Sequence, residues 1–214
     1  MAVSKSVYDL MTSKGAGVIR KMFEEGIKLK AQYGNDSVFD FSIGNPDLDP
    51  PEEVVKAEVK YAGCREKNFH GYMPNAGYQF CRDAMAEKTS LEQGVKVTGD
   101  CVIMSVGAAS ALNVLFKAIL NPGDNVVVPA PYFTEYKHYV RNRGGELVEA
   151  NTKADFSLDV ESIKSCLNEK TAAVLINSPN NPTGRVYSRD EIVALARVLE
   201  EHGAKCGRKP YLVC

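Results

Sequence analysis

Apolar residues follow two different patterns along the chain, and the change between them falls near residue 100. In the first part, the sequence predicts helices over residues 17–33 and 77–92 and an extended segment over residues 38–43. Asp49 is the expected N-cap of a further helix, because two prolines follow it and Glu52 stands three residues on. The apolar positions of that helix are Val54, Val55 and Val59.

After residue 100, short apolar runs alternate with helical patterns. The runs are mostly continuous, as expected of strands that are covered on both faces. Five strands are predicted, at residues 101–106, 125–128, 146–149, 172–177 and 211–214. The clearest helix covers residues 188–201, where Ser188 and Glu191 form a capping box. Repeated alternation of strand and helix predicts a layered α/β core with a parallel sheet.

The composition is that of an ordinary globular protein. The chain has 214 residues, of which 44% are hydrophobic, and a formal net charge of −1. Such proportions argue against a disordered or fibrous protein. Basic residues are scattered among acidic ones, so we expect neither a nucleic acid nor a membrane surface as partner.

Cysteine and histidine usage predicts no metal site. The six cysteines show no C-x-x-C spacing, and the three histidines stand far apart in the sequence. We interpret the cysteines as reduced and structural. Residues 1–20 contain no apolar run typical of a signal peptide or a membrane span, so a cytoplasmic location is expected.

Ligands of open parallel sheets bind beyond the carboxyl ends of the strands, which directs attention to the strand-to-helix connections. The first connection, residues 107–112, reads G-A-A-S-A-L and opens a predicted helix. Small side chains at a helix start let an anion approach the free N–H groups, so this segment is a candidate phosphate site. The alternative interpretation is that the alanines only allow the helix to pack closely against the sheet.

The second connection carries an aromatic pair, Tyr132 and Phe133, directly after Pro131. A rigid loop at the sheet edge would present a ring on which a ligand ring can stack. The alternative is an ordinary core aromatic, and Phe133 is the better candidate for the core.

The third connection, residues 177–184, contains three asparagines, two prolines and a glycine. A plain turn does not need so many asparagines and prolines. Such a loop is rigid and polar, and it is suited to hold a side-chain amide in a fixed orientation against a ligand.

This third loop resembles the N-P-T-G signature of class I/II aminotransferases, which are fold-type I enzymes that use pyridoxal 5′-phosphate. Five further segments resemble motifs of that family in the expected order. They are I-G-N-P-D at residues 43–47, Y-M-P-N-A-G at 72–77, V-G-A-A-S-A-L at 106–112, N-P-G-D at 121–124 and P-A-P-Y at 129–132. The resemblance therefore extends over nearly the whole chain.

The resemblance implies an α/β fold, with a three-layer α/β/α large domain, a mostly parallel sheet and an N-terminal arm. Residues 1–50 would form the arm and part of a small domain, and residues 51–214 the first part of the cofactor-binding large domain. Transfer of an amino group between an amino acid and a 2-oxo acid, within amino acid metabolism, is the implied activity.

The resemblance also implies the cofactor contacts. Gly107, Ala108 and Ala109 would bind the phosphate of pyridoxal 5′-phosphate. Tyr132 would stack on the pyridine ring, and Asn181 would donate a hydrogen bond to its phenolic oxygen.

By the same resemblance, the substrate would be bound by Gly44 through its main-chain N–H, by Asn45 and by Asn181. Tyr72 would reach the phosphate bound in the neighbouring subunit, which implies a homodimer.

Relatives form a Schiff base between the cofactor and a lysine in an S-x-x-K context, and no lysine of this chain has that context. Their D-E-x-Y motif, whose aspartate pairs with the pyridine nitrogen, is not found either. We therefore expect the sequence to represent the N-terminal half of such an enzyme and to contain no catalytic lysine. The isolated chain is expected to be inactive.

Two alternatives stay open at this point. The motifs anchor the cofactor without choosing which bond at the substrate Cα breaks, so a C–S β-lyase, a cyclopropane-forming synthase or a decarboxylase fits them as well. A non-catalytic protein that acts as a dimer partner or regulator is the other alternative.

Overall fold

The computed structural model of the chain describes residues 2–12, 18–41, 44 and 48–214, and it describes only the backbone of residues 6, 10 and 18–20. The chain divides into two compact units, Met1–Tyr72 and Met73–Cys214. Among the described residues, no helix combines the length and the apolar character needed to cross a bilayer.

The first unit is helical. Its helices are Lys5–Thr12 (α1), Val18–Tyr33 (α2) and Glu52–Ala62 (α3), with a short 3₁₀ turn at Asn35–Ser37. Helix α2 confirms the prediction for residues 17–33, of which residue 17 lies outside the described residues. Residues 38–41 belong to no strand, and the last two positions of the predicted extended segment, 42–43, also lie outside.

The start of α3 differs from the sequence prediction. Pro51, and not Asp49, occupies the N-cap position, and no side chain caps the helix. The prediction of Asp49 as N-cap is wrong, because this residue stands three positions before the first helical residue, Glu52. Glu52 and Glu53 lie in the first turn, where negative charge suits the helix dipole.

The second unit contains one four-stranded sheet. Its helices are Gln79–Gln93 (α4), Gly107–Ile119 (α5), Tyr136–Arg141 (α6), Val160–Cys166 (α7) and Arg189–Cys206 (α8). Its strands are Asn125–Ala130 (β1), Glu146–Asn151 (β2), Thr171–Leu175 (β3) and Tyr211–Val213 (β4). The strand order is β2-β1-β3-β4, and each neighbouring pair is parallel. Four of the five predicted strands are confirmed.

The predicted strand at residues 101–106 is wrong. Its first residue closes a 3₁₀ turn, Gly99–Cys101, and residues 102–105 pair with no described strand. The backbone of Val102 is extended, with φ −114° and ψ 131°. An apolar run thus favours an extended backbone, but a strand also requires a hydrogen-bonded neighbour, which the run itself cannot supply.

Helices cover both faces of the sheet and produce three layers. Val126 and Val128 of β1 pack with Phe116 of α5 and Val140 of α6. Val127, which points to the opposite face, packs in a second cluster that contains side chains of α7 and α8, Ile163, Leu195 and Leu199. The expected three-layer α/β/α arrangement with a parallel sheet is confirmed.

The capping box of α8 is confirmed and has a wider role than the sequence indicates. The Ser188 hydroxyl accepts from the Glu191 N–H at 3.3 Å, and the Glu191 carboxylate accepts from the Ser188 N–H at 2.7 Å. The second carboxylate oxygen of Glu191 accepts from the Leu158 N–H at 2.8 Å. One side chain therefore joins the start of α8 to the segment that follows β2.

An ion pair with a buried carboxylate joins the amino ends of β1 and β4. Asp124, directly before β1, accepts from both terminal nitrogens of Arg208 at 2.9 and 2.8 Å. The Asp124 side chain is only 9% exposed and also accepts from the Asn121 N–H at 2.8 Å. The hydrogen bond from Arg208, opposed in part by burial, lowers the pKa of Asp124 from 3.8 to about 2.

We expect Asp124→Asn to destabilise the folded chain by on the order of 2 kcal/mol at pH 7. The lowered pKa means that folding stabilises the ionised carboxylate of Asp124, and the variant has no such charge. The lowered folded-state pKa means that this stabilisation is complete above pH 3.8 and is lost as the pH falls toward 2. Urea unfolding from pH 7 to pH 2.5 should therefore show the difference between wild type and variant shrinking below pH 3.8.

Glu200→Gln is the matched control, since Glu200 pairs at 3.0 Å with Lys209, next to Arg208, and both of these side chains are more than half exposed. Its effect should stay below about 1 kcal/mol at every pH. A pH-independent difference between Asp124→Asn and wild type would contradict the assignment.

Candidate functional site

The candidate site lies at the carboxyl edge of the sheet in the second unit. The connections after β1 and β3 leave adjacent parallel strands at this edge. Helix α5 joins β1 through a turn at residues 120–124 and packs against it through Phe116, so α5 runs antiparallel to the strand. Its amino end therefore points toward the same edge of the sheet.

The amino end of α5 is open to ligands. Val106, which precedes the helix, provides no side-chain cap, and Gly107, Ala108 and Ala109 are all exposed. Gly107 adopts a left-handed φ of 73°, a conformation that favours glycine. The first N–H groups of a helix have no partner within the helix, so this turn offers donors and positive partial charge to an anion. That donor set fits a phosphate group.

Tyr132 is held by its hydroxyl group and by one face of its ring. The hydroxyl donates to the Glu149 carboxylate on β2 at 2.7 Å, and the ring lies nearly parallel to Tyr136 at a centroid distance of 6.5 Å. Burial, together with the hydrogen bond to Glu149, raises the pKa of Tyr132 to about 12. The sequence did not identify Glu149 as a residue of the site. Its position near the end of the neighbouring strand is the only sequence feature that could have indicated it.

Phe133 is not the core aromatic of this loop. Its side chain is 37% exposed, whereas Tyr136 is only 8% exposed and packs in the core cluster. The two rings meet edge to face at 5.6 Å. The prediction of Phe133 for the core is wrong, because the inner face of α6 begins at Tyr136 and takes that place.

The loop after β3, residues 177–184, is the asparagine loop. It exposes the side-chain amide of Asn181 and buries that of Asn180. Asn181 is exposed, and its N–H donates to the Asn177 side-chain oxygen at 2.9 Å. Its side-chain amide has no hydrogen-bond partner among the described residues, so it is free to meet a ligand. Asn180 is buried, and its amide nitrogen donates to the Pro131 carbonyl at 3.1 Å and to the Thr183 hydroxyl at 2.9 Å.

The remaining candidates belong to the first unit. Gly44 is exposed, and no side chain of the described residues is near the position where its Cβ would stand. Tyr72, the last residue of that unit, is fully exposed. Asn45 lies outside the described residues.

No group of three or more His, Cys, Asp or Glu residues that would hold a metal ion occurs in the part of the chain that the structure describes. The six cysteines form no disulfide, and their exposure ranges from intermediate to exposed.

Comparison with known proteins gives a consistent result. A family model described as aminotransferase class I and II matches residues 36–205. A probable aspartate aminotransferase of Streptomyces griseus is 39% identical over 208 residues, which are 95% of this chain and 96% of that protein. The aspartate/prephenate aminotransferase of Thermus thermophilus is 43% identical over 163 residues, which are 75% of this chain and 42% of that protein.

Solved structures agree. A crystal structure of an amino transferase from Eubacterium rectale covers 100% of this chain with a TM-score of 0.91 and 35% identity, and the match takes in 54% of that chain. The aspartate aminotransferase of Thermus thermophilus with maleate covers 99% of this chain with a TM-score of 0.80. The chain therefore spans about half the length of these solved relatives.

We expect Tyr132 to remain protonated at pH 11, where exposed tyrosines are largely ionised, because its pKa is raised to about 12. Glu149→Gln should lower this pKa without returning it to 10, since burial is the larger cause of the shift and is retained. A pH titration of ¹³Cζ-labelled tyrosine, with the signal identified by Tyr132→Phe, measures both effects. An unchanged pKa in Glu149→Gln would show that the carboxylate is not a partner of the hydroxyl.

Proposed function

The chain belongs to the class I and II aminotransferase family, and on that basis we propose that its second unit binds pyridoxal 5′-phosphate for amino-group transfer between an amino acid and a 2-oxo acid. The observation that carries this proposal is the convergence of three features at one sheet edge. They are a helix start without a side-chain cap, the Tyr132 ring stacked on Tyr136, and an asparagine amide without a partner among the described residues.

Each feature suits one part of the cofactor. The exposed N–H groups at Gly107, Ala108 and Ala109 would hold the phosphate. Tyr132 would stack on the ring, and the Asn181 amide would donate to the phenolic oxygen. When bound, the cofactor supplies an electron-withdrawing ring that stabilises negative charge at the substrate Cα.

The substrate contacts proposed for the first unit are the Gly44 N–H, which would bind the α-carboxylate, and Asn45. Tyr72 would serve the phosphate of a neighbouring subunit, and its full exposure in one chain is consistent with a homodimer. Because several relatives are named as aspartate aminotransferases, aspartate with 2-oxoglutarate is the substrate pair to test first.

The 214 residues contain no S-x-x-K segment, the context of the lysine that holds the cofactor covalently in relatives. We propose that these residues bind the cofactor without covalent attachment and do not catalyse transfer by themselves. Complete turnover would require a lysine supplied from outside this sequence.

We expect Ala109→Glu to weaken binding of pyridoxine 5′-phosphate by about tenfold or more, because a carboxylate at the helix start repels a phosphate. This probe has no aldehyde, so it cannot react with surface lysines. An acidic residue near a helix amino end is itself stabilising by about 0.5 kcal/mol, so the variant should fold at least as well as wild type. Calorimetric titration measures the affinity, and thermal unfolding measures the stability.

Ala109→Gln is the matched control, since it adds nearly the same volume without the charge and should retain most of the affinity. Pyridoxine without its phosphate should bind Ala109→Glu and wild type alike. Equal affinities of the Glu and Gln variants for pyridoxine 5′-phosphate would place the phosphate elsewhere.

The lack of a suitable lysine leads to a second expectation. The chain incubated with pyridoxal 5′-phosphate, aspartate and 2-oxoglutarate should form no glutamate above the protein-free rate. Borohydride reduction followed by peptide mapping should show label scattered over surface lysines. Enzymatic turnover with label on one lysine would refute the proposed inactivity while supporting the family activity.

A further inference from the structure

The carboxyl end of β1 is not paired with β3, one of its two neighbouring strands. Pairing between β1 and β3 ends at Val127 and Val174, although β1 itself continues to Ala130. Pairing between β1 and β2 continues to Ala130 and Asn151, but Pro129 and Pro131 have no N–H group to donate. The backbone carbonyls of the loop remain available as acceptors.

Two side chains from the connections on either side use these carbonyls. The Thr152 hydroxyl, which follows β2, donates to the Ala130 carbonyl at 2.7 Å. The Asn180 amide, which follows β3, donates to the Pro131 carbonyl at 3.1 Å. The Thr152 bond thus extends the pairing between β1 and β2 by one residue, whereas the Asn180 bond joins the regions that follow β1 and β3, beyond the end of their ladder.

The orientation of the Asn180 amide is unambiguous. A carbonyl oxygen only accepts, so the atom that faces Pro131 must be the amide nitrogen. That nitrogen also donates to Thr183 at 2.9 Å, which uses both of its hydrogens. The backbone of Asn180 is held as well, by its N–H to the Arg185 carbonyl at 2.8 Å and by its carbonyl, which accepts from Gly184 at 2.7 Å.

The hydrogen bond from Asn180 to Pro131 joins two residues that are each adjacent in sequence to a proposed cofactor contact. Pro131 is followed directly by Tyr132, and Asn180 is followed directly by Asn181. We propose that Asn180 is a positioning residue. It fixes the aromatic loop, which carries Tyr132 and Phe133, against the asparagine loop. A ligand ring stacked on Tyr132 then meets the Asn181 amide. This inference rests on the proposed function.

Two substitutions test the role. Asn180→Ala removes the amide, and Asn180→Asp keeps the shape but places a carboxylate oxygen against the Pro131 carbonyl. Asn168→Ala is the matched control, because Asn168 accepts from the Asn125 amide at 3.1 Å and so joins the same two strands at their amino ends. Each variant removes one asparagine bond between the β1 and β3 regions.

The first measurement needs no cofactor. In a ¹³C-tyrosine spectrum of the full 214-residue chain, both Asn180 variants should move the Tyr132 signal toward that of an exposed tyrosine, and Asn168→Ala should leave it in place. The signal is identified with Tyr132→Phe. A purely structural loss would affect the Asn168 variant to a similar extent.

The second measurement is affinity for pyridoxine 5′-phosphate. Both Asn180 variants should bind about tenfold more weakly than wild type, as expected for the loss of one buried hydrogen bond, whereas Asn168→Ala should stay within about twofold. Near-ultraviolet circular dichroism establishes that each variant is folded before titration.

The outcomes separate this inference from the proposed function. Wild type that fails to bind the probe refutes the proposed function, while the tyrosine signal still tests Asn180. Unchanged tyrosine signal and affinity in the Asn180 variants refute the positioning role alone. Equal effects of the Asn180 and Asn168 variants, or failure of both Asn180 variants to fold, would make Asn180 a general stability residue and also overturn the inference.

Discussion

Burial of β1 and β3 on both faces is the constraint on which the second unit depends. Every residue of β3 is buried, as are the first five of β1. Parallel neighbours cannot be joined by a hairpin, so a helix follows each of β1, β2 and β3 and covers one face of the sheet or the other. Each carboxyl end then opens into a connection at the same edge, and this places the aromatic loop beside the asparagine loop.

The two edges of the sheet carry different kinds of polar interaction. At the amino edge, the buried carboxylate of Asp124 pairs with the partly exposed guanidinium of Arg208. At the carboxyl edge, the start of α5 and the Asn181 amide present donors that no side chain of the described residues uses. The ion pair stabilises the fold at one edge, while the other edge, where open parallel sheets bind ligands, carries donors that the described side chains do not use. The family membership is consistent with this division.

Proline in a central strand would ordinarily weaken a sheet, because it removes a ladder hydrogen bond. Here Pro129 and Pro131 come after the β1–β3 pairing has ended, and Thr152 and Asn180 donate to the carbonyls beside them. The connection is held by these bonds and by pairing of β1 with β2 to Ala130, without a ladder to β3. Its aromatic residues are carried beyond the sheet, where Phe133 is partly exposed and Tyr132 is restrained by Glu149.

The sequence alone determined the features that depend on local patterns: four of the strands, the capping box at Ser188 and the motif order that identifies the family. It failed where the outcome depends on a distant neighbour. The run at residues 101–106 has strand propensity but no partner strand, and Phe133 lost the core position to Tyr136. Only the tertiary structure decided that the Asn180 amide contacts the Pro131 carbonyl. The two residues lie 49 positions apart in the sequence, and the short side chain reaches its partner only when the fold brings the two loops together.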